Sequence, residues 1–273
     1  GENGKSRRAG YAVAAPDQVR AVAWKLRQLA YALKATLLRE AQGPLPDYML
    51  PSSVFMTMMD NQVTWMTQQF MNNPAFQSLH YYLDGSTPLW QQDYLNAALG
   101  LLTMWWPEKW GAFYLWNLYN VIQRTNGKSG WPPAFPTWYK GNLLSNVATN
   151  TFFATWGDAW QDWCKHQLNG TDISGNPGQI TQAQYDALQK DPYNGGWYIS
   201  ADAYCLDVRG ALALAVYLDR NKILDVSTTY PELEQCFAVQ DAMTKNGKLM
   251  TERWSFAVDP QPVTTVVINP LNP

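Results

Sequence analysis

The chain has 273 residues, 47% hydrophobic and only 15% charged, with a net charge of -2. This describes a globular protein with a sizeable core, and it lacks the basic excess that nucleic acid or an anionic membrane calls for. No apolar run reaches the roughly 18 residues of a spanning helix, three scattered cysteines make no disulfide framework, and two histidines make no His-rich metal site; no cofactor or metal is expected.

Residues 1–16 carry Gly, Ser and basic residues, end at Pro16 and lack the apolar stretch of a signal peptide. They read as an N-terminal arm or linker. GENGKS at the start resembles the end of a phosphate-binding loop, but no strand or earlier glycine precedes it. Asp17 caps a first helix, along which Val19, Val22, Leu26, Leu29, Leu33 and Leu37 recur at helical spacing to about Arg39. GPLPDYMLPSS then breaks the chain. A methionine-rich second helix over about 53–72 carries Phe55, Met58, Met59, Trp65, Met66 and Phe70 and closes at Asn72-Asn73-Pro74.

A connection ending in DGSTP leads to a third helix over about 89–105, with Tyr94, Leu95, Ala98, Leu99 and Leu102 facing inward. Pro107 opens a fourth helix, where its missing N–H costs nothing, and this helix stops near Asn126-Gly127. A fifth helix is expected over about 141–168 and a short one over TQAQYDALQKD, following Thr181. A long helix then covers about 199–220. The last helix covers about 230–245, opening with Pro231-Glu232. Beyond Gly247 the period changes to two, and WSFAV and VTTVVI read as short strands.

These elements predict a mainly α fold of about four antiparallel helical hairpins, forming an arc or partial (α/α) toroid, with a short C-terminal β tail. The expected division is an arm at 1–16, a helical-hairpin domain at 17–247 and a β-rich tail at 248–273.

Half of the 14 tryptophans fall between Trp90 and Trp138. Packing one helical seam uses only some of them, and rigid aromatic surface beyond that need binds sugar rings. Trp105, Trp106, Trp131 and Trp138 are therefore the expected stacking residues. In SLHYYLDG, His80, Tyr81 and Tyr82 have the chemistry to move the protons of a glycan-cleaving reaction. Asp93 is a candidate acid or base, and Asn61 and Arg124 are candidates to neutralise a substrate carboxylate. Asp202, Asp207 and Arg209 in the long helix either face solvent or line a concavity, and Arg209 is expected to pair across to another hairpin. Trp156, Trp160 and Trp163 share one face of a helix with Asp158 and Asp162 between them. This reads as an aromatic core stripe with two solvated aspartates, with an acid/base pair beside a sugar platform as the alternative.

VRAVAWKLRQLAYA (19–32), MMDNQVTWM (58–66), WQQDYLNAALGLL (90–102) and DAYCLDVRGALALAVYLDRN (202–221) resemble the α-hairpin toroids of bacterial polysaccharide lyases and six-hairpin glycosidases. The resemblance implies an extracellular or periplasmic domain that binds or cleaves a polysaccharide or oligosaccharide, as a lyase or a glycoside hydrolase. The roughly eight helices counted are fewer than a closed toroid needs, which agrees with one piece of a larger chain. The alternative is a non-catalytic recognition or assembly module of a cell-surface or virion structure, docking neighbouring protein subunits through residues 1–16 and 254–269. Neither reading includes a nucleic acid or a membrane span.

Overall fold

The computed structural model describes residues 19–81, 89–137, 142–168, 180–192 and 202–243. The expected arm, the β tail, Tyr82 and Trp138 lie outside them. The fold is mainly helical, with eight α-helices and one two-stranded antiparallel sheet among the described residues.

Helix α1 (Val19–Glu40) buries Val22, Leu26, Leu29 and Leu33, the inward row predicted from spacing. Helix α2 (Ser52–Met66) runs on through a wider π turn at Thr67–Met71. Asn73 stops it by accepting the Ala75 N–H and capping the short turn that follows. Helix α3 (Leu89–Trp105) and helix α4 (Pro107–Thr125) meet at Trp106, with Pro107 at the first position of α4.

One helix was expected over 141–168, and two structures stand there. Strands β1 (Leu144–Asn146) and β2 (Thr151–Phe152) form a hairpin, and helix α5 begins only at Trp156 and ends at Leu168. The reason is local. Asn142 accepts the Leu144 N–H, Asn146 accepts the Ala148 N–H, and Asn150 takes a φ of 52° in the turn. Side chains that bond their own backbone compete with the helix ladder. It starts only once Thr155 accepts the Asp158 N–H. Helix α6 (Gln182–Lys190) opens with a capping box between Thr181 and Gln184, and helices α7 (Asp202–Arg220) and α8 (Leu233–Met243) follow.

Side-chain pairs define how these helices run. The Arg20 backbone N–H donates to Gln91 Oε1 (3.2 Å), Trp24 meets Tyr94 and Tyr31 meets Trp105, so α1 and α3 are parallel. Asp207 feels the charge of Asp93, and Gly100 faces Leu214, so α7 is parallel to α3 as well. The second helix of each pair runs back. Asn96 donates to Asn117 (3.3 Å) across α3 and α4. Arg209 binds Asp241, and Arg220 binds Glu234, across α7 and α8. Arg209 thus pairs within its own hairpin rather than with another. At the first hairpin, Glu40 accepts the Ser52 N–H at 2.8 Å.

The result is two layers. Helices α1, α3 and α7 lie side by side, α2, α4 and α8 return behind them, and α4 touches both α2 and α8. With α1 and α7 at its sides and α4 behind, α3 is buried at every position from Gln92 to Gly100. The fit at Gly100 is close: a Cβ there would stand 2.6 Å from Leu214 Cδ2. A second core lies outside the layers, where Trp131, Phe135, Phe152, Trp156, Trp160 and Trp163 close over one another. Among the described residues no helix is long and apolar enough to cross a membrane, and no three His, Cys, Asp or Glu side chains converge on a metal position.

Candidate functional site: an aromatic and cationic seam

The outward side of α1 carries aromatic residues where a surface helix would be polar. Trp24 is 42% exposed and Tyr31 51% exposed, two turns apart on the side opposite Leu26 and Leu33. Each leans edge-on against a ring of α3, Trp24 on Tyr94 (6.2 Å between centroids) and Tyr31 on Trp105 (5.6 Å). Trp90, Leu101 and Trp105 keep part of their surface open along the same edge of α3. Cations lie between the rings. The Arg20 guanidinium is 5.7 Å from the Trp24 ring and 5.9 Å from the Trp90 ring, and that of Arg27 is 5.8 Å from Tyr94. Stacking over indole and phenol faces holds these long side chains in place.

Behind the seam lies a buried ionic cluster. Arg124 of α4 makes five hydrogen bonds, one for each N–H of its guanidinium. Nε donates to Asn120 O. One terminal nitrogen donates to Asp93 Oδ2 and Pro136 O, the other to Asp93 Oδ1 and Asn120 Oδ1. Its carbon lies 5.5 Å from the Trp156 ring. Burial pushes the Asp93 carboxyl above the ordinary aspartate range, against the opposing pull of Arg124 and Thr137. Asp207 of α7, facing this cluster, is 6% exposed, and its Oδ1 has no hydrogen-bond partner among the described residues. Burial, and then the Asp93 charge, push its carboxyl well above the usual range. Tyr94 lies within electrostatic reach of Asp207, which makes that ring the link between cluster and seam.

The residues singled out in the sequence divide between surface and interior. Trp105 lies on the seam, and Trp106 packs edge-on beside it, half-buried. Asn61 is half-buried on α2, in the second layer, beside the Asp60 that binds Lys109. Four others are sealed. Tyr81 is fully buried against Phe152 and Trp156. Trp131 donates its indole N–H to Phe135 O (2.7 Å) and packs on Trp156 and Trp160, so it presents no face to a sugar. Asp93 and Arg124 are bound to each other, with no solvent contact. A guanidinium with every N–H engaged has none left for a substrate carboxylate.

His80 stacks on Trp116 and Tyr119 at a φ of 48°, and its Nδ1 is 2.9 Å from Trp116 O. Burial lowers its pKa. Its own carbonyl accepts from Asn120, which joins it to the Arg124 cluster through the backbone. Trp156, Trp160 and Trp163 are core, while Asp158 and Asp162 serve Thr155 and His166 at the surface.

Arg20, Trp24, Arg27 and Tyr31 were not picked out in the sequence. Their signal was there: large aromatic residues on the polar face of a helix whose apolar face was already complete. No protein-family model matches this chain, and neither does any curated protein or solved structure. Fold and site therefore define a class from geometry alone: a two-layer helical-hairpin protein with an aromatic and cationic strip along two parallel helices.

Proposed function

We propose that this protein binds an extracellular polysaccharide along the α1–α3 seam, its three hairpins forming part of an (α/α) toroid-like arc. One observation carries the reading. Trp24, Tyr31, Trp90 and Trp105 stand in line along parallel helices, and the run from Trp90 to Trp105 is about 22 Å at the α-helical rise. A row of flat rings of that length suits the apolar faces of successive sugars, with polar groups at the rim to orient them.

Titration with gluco-, xylo- and chito-oligosaccharides and with uronate oligomers, read by tryptophan fluorescence and calorimetry, tests the reading. Saturable binding that Trp24→Ala and Tyr31→Ala abolish is expected. Silence across the whole panel overturns it. New reducing ends or unsaturated-uronate absorbance would mark cleavage.

One observation favours the alternative of an assembly module: Tyr48 and Leu50, in the turn between α1 and α2, are 87% and 54% exposed. Apolar surface at a turn suits a protein partner. Light scattering that reports only a monomer at high concentration, unchanged by Tyr48→Ser, counts against self-assembly through this turn.

A further inference from the structure

Beyond the glycan reading, and independent of it, we infer that the outward face of α1 docks an acidic amphipathic helix of a partner protein. Trp24, Gln28, Tyr31, Ala35 and Leu38 are all exposed, and they follow one another at gaps of four, three, four and three residues. That alternation keeps them in one stripe, and it is the spacing by which one helix seats against another. The stripe is about 21 Å long at the helical rise. Its large members, Trp24, Tyr31 and Leu38, recur every seventh residue.

The core does not need this stripe, because α1 already buries Val22, Leu26, Leu29 and Leu33 on its opposite side. Ala35 leaves a hole between Tyr31 and Leu38, into which a side chain of a second helix fits. Gln28 places one polar group between Trp24 and Tyr31, and a polar residue in such a stripe sets the register of the partner. The matching surface is a helix that presents apolar anchors at i, i+3, i+4 and i+7. A bilayer asks instead for a broad apolar face, and the broad apolar face of α1 is spent on the core.

Charge selects the partner. The whole chain carries -2, yet the stripe is flanked by Lys25 and Arg39 on one side and by Lys34 on the other. Lys25 and Lys34 are exposed, and among the described residues neither takes part in an ion pair. The only acid of α1, Glu40, accepts the Ser52 N–H. Two copies of α1 laid together, in either direction, set cation against cation, which argues against a second copy as the occupant. A helix with glutamates or aspartates beside its own apolar row meets the same flanks with opposite charge.

The test uses labelled synthetic helices of roughly three heptads, read by fluorescence anisotropy. One carries Leu at its a and d positions and Glu at e and g, a second has Lys in place of Glu, and a third has the residues of the first with the leucines out of register. The acidic helix is expected to bind at least about tenfold more tightly than the other two, and added salt to narrow its lead over the lysine helix. Lys25→Glu/Lys34→Glu is expected to reverse the preference between the acidic and basic helices. Leu38 lies outside the ring row proposed for sugars, so Leu38→Ser is expected to weaken the acidic helix at least about tenfold while leaving melting temperature and affinity for neutral oligosaccharides unchanged. An acidic helix bound no better than its out-of-register control, or a charge reversal that leaves the preference where it was, overturns the inference. So does binding of anionic vesicles in place of the helix. A face that takes neutral oligosaccharides and no helix keeps the glycan reading and loses this one, and a face that takes the helix and no oligosaccharide does the reverse.

Discussion

Arg124 on α4 and Asp93 on α3 form a two-armed ion pair in which neither side chain reaches solvent. It ties the middle hairpin together at the end nearest the β hairpin and α5. Its strength as a fastener lies in satisfaction: every guanidinium N–H has an acceptor, so the cost of burying the charge is met locally.

Removing one partner leaves the other charge stranded. Arg124→Met is expected to destabilise the protein by about 3–5 kcal/mol. Pairing it with Asp93→Leu should recover a large part, because the double change removes both charges together. Urea denaturation of the four species in a double-mutant cycle measures this. A double variant no better than the sum of the singles would show that the two residues act independently.

Surface and sealed aromatics are expected to behave oppositely. Trp24→Ala should change stability by no more than about 1 kcal/mol while costing glycan affinity at least about tenfold. Trp131→Ala should cost about 3–5 kcal/mol, since it empties the centre of the second core. Thermal unfolding with calorimetric titration separates the two. Normal glycan affinity in Trp24→Ala would remove the seam from consideration.

Asp207 gives a pH dependence with a definite sign. Its carboxyl is raised in the folded state, so folding takes up a proton at any pH between the ordinary aspartate value near 3.9 and the raised value. Its contribution to stability is intact below about 3.9 and is lost as pH rises through that window. Asp207→Asn removes the titration and offers Asp93 an amide donor. It should stabilise the protein by about 1–2 kcal/mol at neutral pH and by less in mild acid. Melting curves from pH 4 to 8 decide the matter, and a stabilisation that grows towards low pH would contradict it.

His80 has the opposite sign. Burial lowers its folded pKa below 6.5, so the unfolded chain takes up a proton that the folded chain refuses. Its contribution is present above pH 6.5 and is lost as pH falls through the depressed value. Imidazole resonances followed by NMR should titrate below 6.5 for His80. A value at or above 6.5 would mean that the ring is open to water.

Gly100 tests the close contact of α3 with α7. A Cβ 2.6 Å from Leu214 Cδ2 has no room, so Gly100→Ala should cost about 1–3 kcal/mol despite alanine's better helix propensity. Adding Leu214→Val should recover part of the loss. Chemical denaturation of the single and double variants reads this directly.

The helices were legible because their signals are local. The apolar spacing of α1, the corner at Trp106-Pro107, and the cap at Thr181 each involve residues within a few turns of one another. The stretch 141–168 misled for a local reason too: its asparagines bond their own backbone, and that competition is weak in any periodicity.

The site was harder to see, because a residue type does not say which way it faces or what it meets. Trp131 and Trp24 are the same amino acid. One donates to a carbonyl in a closed core and the other lies open on α1. By itself, the order of residues determined the helical class and the inner rows of α1 and α3. Only the tertiary structure decided which charges were already spent, since Asp93 and Arg124 are 31 residues apart and meet only when α4 folds back on α3.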